Sequence, residues 1–169
     1  MSSQYERELR SILEGDYKTL VKVTKTCTSA EKNKYSMIYN KPFAVIRAAG
    51  SFGVDLVAIR GNISFLVEIK TSNEDTLHFS SSGGKLQRQA EIMRDGCEKT
   101  KTLPIYAFRL KGYKGDSWRL FTLDINCLDG KTEVLHKTLP KLDSSKDGNF
   151  IMRWNKGLPL SDFISFLCK

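Results

Sequence analysis

Apolar residues along the chain follow two different periods. Behind Ser3, the residues Tyr5, Leu9, Ile12 and Leu13 recur at i, i+4, i+7 and i+8, which predicts a short amphipathic helix capped by Ser3 and ending near Gly15. From Thr24 to Asn40 the periodicity disappears among Lys, Thr, Ser and Asn, and the reading there is a basic loop or insertion without regular structure. Phe43 to Arg47 predicts a strand, followed by a glycine-containing sharp loop, Ala48 to Gly53. Val54 to Arg60 and Ile63 to Lys70 predict a hairpin closed by the two-residue turn Gly61-Asn62. Leu56, Ala58, Phe65 and Val67 share one face of it and Val57, Ile59 and Leu66 the other, so helices are expected over both sides. Leu86, Ala90, Met93 and Cys97 predict a helix from Lys85 to Glu98, and Pro104 to Leu110 and Trp118 to Leu123 two more strands. Leu160, Phe163, Ile164 and Leu167 predict a final helix with Ser161 as its cap.

Composition narrows the class. With 169 residues the chain fits one domain, and 40% hydrophobic residues are too many for a disordered chain. There is no long apolar run and no apolar core behind the charges of the N-terminus, so no membrane partner or secretory signal is expected; the protein is expected in the cytoplasm, associated with the nucleoid. The net charge of +8 favours a polyanion such as nucleic acid. It is concentrated in two blocks: six lysines against one acid between Lys18 and Lys41, and nine basic residues against four acids between Lys85 and Arg119. Lys22, Lys25, Lys32, Lys34, Lys85 and Arg88 are the candidate backbone contacts, although a lysine run is also what a solvated loop looks like. Cys27, Cys97, Cys127 and Cys168 have neither C-x-x-C spacing nor a histidine at ligand spacing, which predicts reduced, mostly buried thiols.

The chemistry concentrates in the hairpin. A two-residue turn at Gly61-Asn62 pairs Arg60 with Ile63 and, carried along the ladder, Asp55 with Glu68. Alternation puts Lys70 on the same face as Glu68, so two carboxylates and an ammonium converge. Hard oxygen ligands suit Mg²⁺, which can polarise a phosphate while a lysine positions or deprotonates the water, and phosphodiester hydrolysis fits best. A plain cross-strand salt bridge without metal is the other reading. Ala49 to Gly53 imitates a nucleophile elbow but precedes a strand, and Gly83-Gly84-Lys85 lacks the rest of a phosphate-binding loop; both are expected to be loops.

Tyr5-Glu6-Arg7-Glu8-Leu9, Ala44-Val45-Ile46-Arg47-Ala48-Ala49-Gly50-Ser51, Val54-Asp55-Leu56-Val57-Ala58, Val67-Glu68-Ile69-Lys70 and Trp118-Arg119-Leu120-Phe121 together resemble, in order, the archaeal Holliday junction resolvases of the PD-(D/E)XK nuclease superfamily. The likeness covers about half of the chain. It implies an α/β, restriction-endonuclease-like core with a mixed central sheet flanked by helices, in a single nuclease domain over residues 1–169. A lysine-rich insertion at about 18–41 and a C-terminal extension at about 129–169 depart from the family pattern.

The resemblance further implies a homodimeric, Mg²⁺-dependent endonuclease, with Mn²⁺ as a substitute, that resolves four-way DNA junctions in recombination and repair. Asp55, Glu68 and Glu6 would be its metal carboxylates and Lys70 its water residue, with Arg47 and Ser51 at the scissile phosphate. Ser3-x-x-Glu6 is equally a capping box, helix geometry alone does not choose between Glu6 and Glu8, and Arg47 and Ser51 also read as a salt bridge and a turn hydroxyl. A related nuclease cutting flaps, ends or defined duplex sequences, and a noncatalytic nucleic-acid-binding protein, are the alternatives.

Overall fold

The computed structural model describes residues 3–49 and 53–169. Helix α1 spans Gln4–Leu13; Ser3 Oγ accepts the Glu6 N–H at 3.0 Å, and Leu9, Ile12 and Leu13 are buried. Its end is set by Gly15, whose φ of +74° suits glycine and whose missing Cβ would stand 3.3 Å from the Ile38 carbonyl oxygen.

The stretch from Thr24 to Asn40 is not the structureless loop its composition predicts. After helix α2 (Tyr17–Val23), which lies ahead of it, the stretch holds helix α3 (Ser29–Ser36) and a 3₁₀ turn at Met37–Asn40. Their sequence signal lies in the caps: Asp16 Oδ2 accepts the Thr19 N–H, and Thr28 and Glu31 form a reciprocal capping box. Each helix offers the core only one or two large side chains, Leu20, Tyr35 and Ile38, too few to make a period. Tertiary contacts hold them: the Tyr35 hydroxyl donates to Asp116 Oδ1 at 2.7 Å, and Lys34 pairs with Asp162.

Strands β1 (Ala44–Arg47), β2 (Leu56–Arg60) and β3 (Ile63–Ser72) form an antiparallel meander. The turn at Gly61-Asn62 gives the predicted register, Arg60 against Ile63 through Leu56 against Val67. After the short strand β4 (Thr76–His78), helix α4 (Ser81–Thr100) makes the crossover that lets β5 (Leu103–Leu110) pair in parallel with β3. β6 (Trp118–Thr122) then returns antiparallel to β5. Beyond it come α5 (Gly130–Thr138), β7 (Asp143–Ser144), β8 (Phe150–Arg153), β9 (Leu158–Pro159) and α6 (Leu160–Leu167). The main sheet has the order β1-β2-β3-β5-β6-β9, and β4-β8-β7 form a small second sheet. This is a mixed α/β architecture with a central mixed sheet flanked by helices.

One core joins α1, α3 and α6 to Leu56, Ala58, Phe65 and Val67; the other joins α4 to Tyr106, Phe108 and Phe121. The second helix layer does not extend across the hairpin as its two apolar faces suggest. α4 packs on β5, and on that side Ile46 stays 56% and Ile59 41% exposed. Ser161 is not the cap of α6: Pro159 holds the cap position, and the Ser161 N–H, already inside the helix, donates to Asp116 Oδ2 at 3.0 Å. The four cysteines are free thiols, three of them buried. Among the described residues no helix is long and apolar enough to cross a membrane.

Candidate active site

Asp55 occupies the bend just ahead of β2. Its N–H donates to the Val67 carbonyl at 2.9 Å, although Leu56 is the residue paired with Val67. Two residues therefore oppose one, a bulge arrangement, and the simple ladder that would set Asp55 directly against Glu68 stops one pair short. The bulge turns the Asp55 carboxylate across the strand end, where Oδ2 accepts the Ile69 N–H at 2.8 Å. The Asp55 carbonyl accepts the Ala48 N–H at 2.8 Å, tying the bend to the end of β1.

Asp55 still meets Glu68. Glu68 projects from β3, is buried, and has its carboxyl pushed up to about 8, first by burial and then by the hydrogen bond it shares with Asp55. Lys70 pulls in the opposite direction, with Nζ 3.9 Å from Glu68 Oε2. In the free protein a protonated Glu68 thus stands in for a missing positive charge. This donor set fits a divalent cation: two hard carboxylates that resist joint ionisation lose that penalty when a cation sits between them. Tyr106 lies beside Glu68 in the β3–β5 register, fully buried, its hydroxyl held above its ordinary range by burial and then by the charges of Glu68 and Asp55. Sequence reasoning missed it because only the parallel pairing brings it there.

Glu6 and Glu8 are told apart by their partners. Glu8 Oε2 accepts from Arg109 Nε at 2.7 Å and from Trp118 Nε1 at 2.9 Å, a structural tie between α1 and the sheet. Glu6 does not turn back to complete a capping box; its Oε1 accepts from Arg47 Nε at 2.7 Å. The two residues expected at metal and phosphate are thus paired with each other. Among the described residues no three His, Cys, Asp or Glu side chains gather as a metal-ligand group, so Glu6 is not brought to the Asp55–Glu68 pair. Ser51 lies outside the described residues.

The basic candidates divide in the same way. Lys22, Lys25, Lys32, Lys85 and Arg88 are exposed, Arg88 donating to the Gly83 carbonyl, whereas Lys34 is committed to Asp162. The Gly115 N–H donates to Thr26 Oγ1 at 2.8 Å, which sets the turn carrying Lys25 against the β5–β6 connection carrying Lys111 and Lys114. Two blocks far apart in sequence meet there, at the end of β5 level with the end of β3 that carries Lys70.

A family model for the archaeal Holliday junction resolvase (Hjc) matches residues 22–168, from α2 to the end of α6. No curated protein matches the chain. Among solved structures, that of Archaeoglobus fulgidus Hjc, a Holliday junction resolvase from an archaeal hyperthermophile, is 21% identical, with a TM-score of 0.47 over 72% of this chain and 81% of that one.

Proposed function

The chain belongs to the archaeal Holliday junction resolvase family, whose members resolve four-way DNA junctions as endonucleases, and on that premise we propose that Asp55, Glu68 and Lys70 form its hydrolytic centre. The observation that carries this reading is the hydrogen-bonded carboxyl pair with an ammonium beside it. Divalent-metal dependence follows from the family; Mg²⁺, with Mn²⁺ able to substitute, is the ion we assign to Asp55 and Glu68, because two carboxylates leave room for water and substrate phosphate. When bound, the ion supplies Lewis-acid polarisation of the scissile phosphate and lowers the pKa of water.

Lys70 then orients the attacking water through its compact ammonium or, as the neutral amine, takes the water's proton. Arg47 and Ser51 are assigned to the phosphate and Glu6 to the cation. For both Glu6 and Arg47 that requires exchanging their present ion pair for new partners. Lys22, Lys25, Lys32, Lys34, Lys85 and Arg88 are assigned to the DNA backbone, Lys34 at the expense of its pair with Asp162.

A four-way junction offers two equivalent strands, so two centres related by a dyad fit it, and we assign the protein as a homodimer associated with the nucleoid. The uncovered hairpin face supports this. Ile46 and Ile59, with Ile92 of α4 63% exposed, leave an apolar surface beside a groove of about 430 Å³ lined by Val57, Leu66 and Met93.

The test offers purified protein labelled four-way junction, flap, duplex and single-stranded DNA, each with Mg²⁺, Mn²⁺ or a chelator. Paired cuts in the junction alone, lost with the chelator, are expected. Equal cutting of flap or duplex would transfer the assignment to a related nuclease.

A further inference from the structure

At the opposite end of the hairpin from the carboxylates lies a second concavity, of about 500 Å³, between the Gly61-Asn62 turn, α5 and α6. Ile63 at its wall and Glu68 stand five positions apart on β3, about 17 Å of extended strand. The Lys41, Arg60, Lys131 and Lys169 side chains line it, and no Asp or Glu does. Arg60 is fixed in place: it donates to the Lys41 and Leu167 carbonyls and lies over the Phe43 ring at 4.4 Å. Lys41 and Lys131 are exposed and make no ion pair among the described residues. Two large apolar side chains stand open at the same place, Val134 at 64% and Phe166 at 42% exposure.

We propose that this concavity is a docking site for an acidic peptide segment of a partner protein, carrying an apolar anchor residue. Charge complementarity sets the sign of the occupant, since four cationic side chains meet with no lining Asp or Glu. The apolar side chains then choose among anions. A DNA backbone would satisfy the lysines but bring no apolar side chain to cover Val134 and Phe166. An acidic peptide satisfies both, its carboxylates on the rim and one aliphatic or aromatic side chain on Val134 and Phe166, the central anchor of a small interface.

The experiment uses the full chain and two labelled nonapeptides, Glu-Asp-Glu-Phe-Leu-Asp-Glu-Asp-Glu and the same sequence with Ser-Ser in place of Phe-Leu, read by fluorescence anisotropy. The anchored peptide is expected to bind at least tenfold more tightly than the serine version. Lys131→Ala with Lys169→Ala should weaken it about tenfold, and Val134→Ser with Phe166→Ser should erase the preference for the anchor. Junction cleavage and the melting temperature should be unchanged in both variants, which also shows that they fold. Equal binding of the two peptides overturns the proposal, because it reduces the site to a general cationic surface. So does weakened junction binding in Lys131→Ala with Lys169→Ala, which would make the pocket a DNA contact.

Discussion

The two faces of the β1–β3 meander come from the same alternating strands, yet they differ in what covers them. On one face Leu56, Ala58, Phe65 and Val67 are sealed under the helices of the larger core. On the other, Ile46, Val57 and Leu66 form a row across the three strands with no helix above its outer part, and Glu68 is the next residue on that face after Leu66. The sealed face holds the fold together. The open face carries the carboxyl pair assigned to hydrolysis at one end of an apolar surface, so on the proposed function association and chemistry share a border.

The largest way to break this contrast is at the carboxylates. Asp55→Ala should lower junction cleavage by several orders of magnitude while DNA binding stays level or tightens, since the variant loses a cation ligand and a charge that repels phosphate. Comparable cutting by this variant in Mg²⁺ would remove Asp55 from the centre. Lys70→Ala should reduce turnover more than metal affinity, and Lys70→Arg should not restore it, because a guanidinium does not give up its proton. Recovery of the full rate with arginine would leave Lys70 only an electrostatic role.

Next come the two faces themselves. Phe65→Ala, beneath the Phe43 and Phe163 rings, should cost about 3 to 5 kcal/mol of stability in a denaturant titration. Ile59→Ser with Ile46→Ser should cost far less, yet shift the sedimenting species from dimer to monomer. A variant pair that stays dimeric would put the interface elsewhere.

The last contrast is in pH dependence. The carboxyl of Glu68 is raised from 4.5 in the unfolded chain to about 8 in the metal-free fold. Between those values the folded state holds the extra proton, so this group's contribution to stability is present at low pH and lost as pH rises through about 8. In chelator, Glu68→Gln should therefore melt higher than the wild type at pH 8.5 and together with it at pH 4, and added Mg²⁺ should narrow the difference by stabilising only the wild type. Identical melting curves at pH 8.5 would mean that Glu68 is not strained by its surroundings.

Where sequence reading succeeded, a local rule was strong enough to act alone. Gly61-Asn62 set the register of β2 and β3, and alternation then placed Glu68 and Lys70 on one face. The rule failed one residue further on, because a bulge at Asp55 answers to the loop before it and not to the turn behind it. Helices α2 and α3 escaped notice because their information sits in Asp16 and the Thr28–Glu31 box, while their few buried residues become meaningful only against α1 and α6 respectively. The two-residue strand β9 exists only through pairing with the distant strand β6. Tyr106 belongs to the same class: nothing near it in sequence announces a carboxylate neighbour.

Asp116 also sets an order in time. Its carboxylate is buried and clasps Tyr35, 81 residues before it, and the Ser161 amide, 45 residues after it, so both contacts close long loops and their entropy must be lost before either bond forms. The Asp55 contact to Ile69 spans only 14 residues and is closed by the hairpin itself. Contacts of short separation form early and those of long separation late. The proposed hydrolytic centre is therefore expected to take shape on a nascent hairpin, and α3 and α6 to lock against the β5–β6 turn only in the last cooperative step of folding.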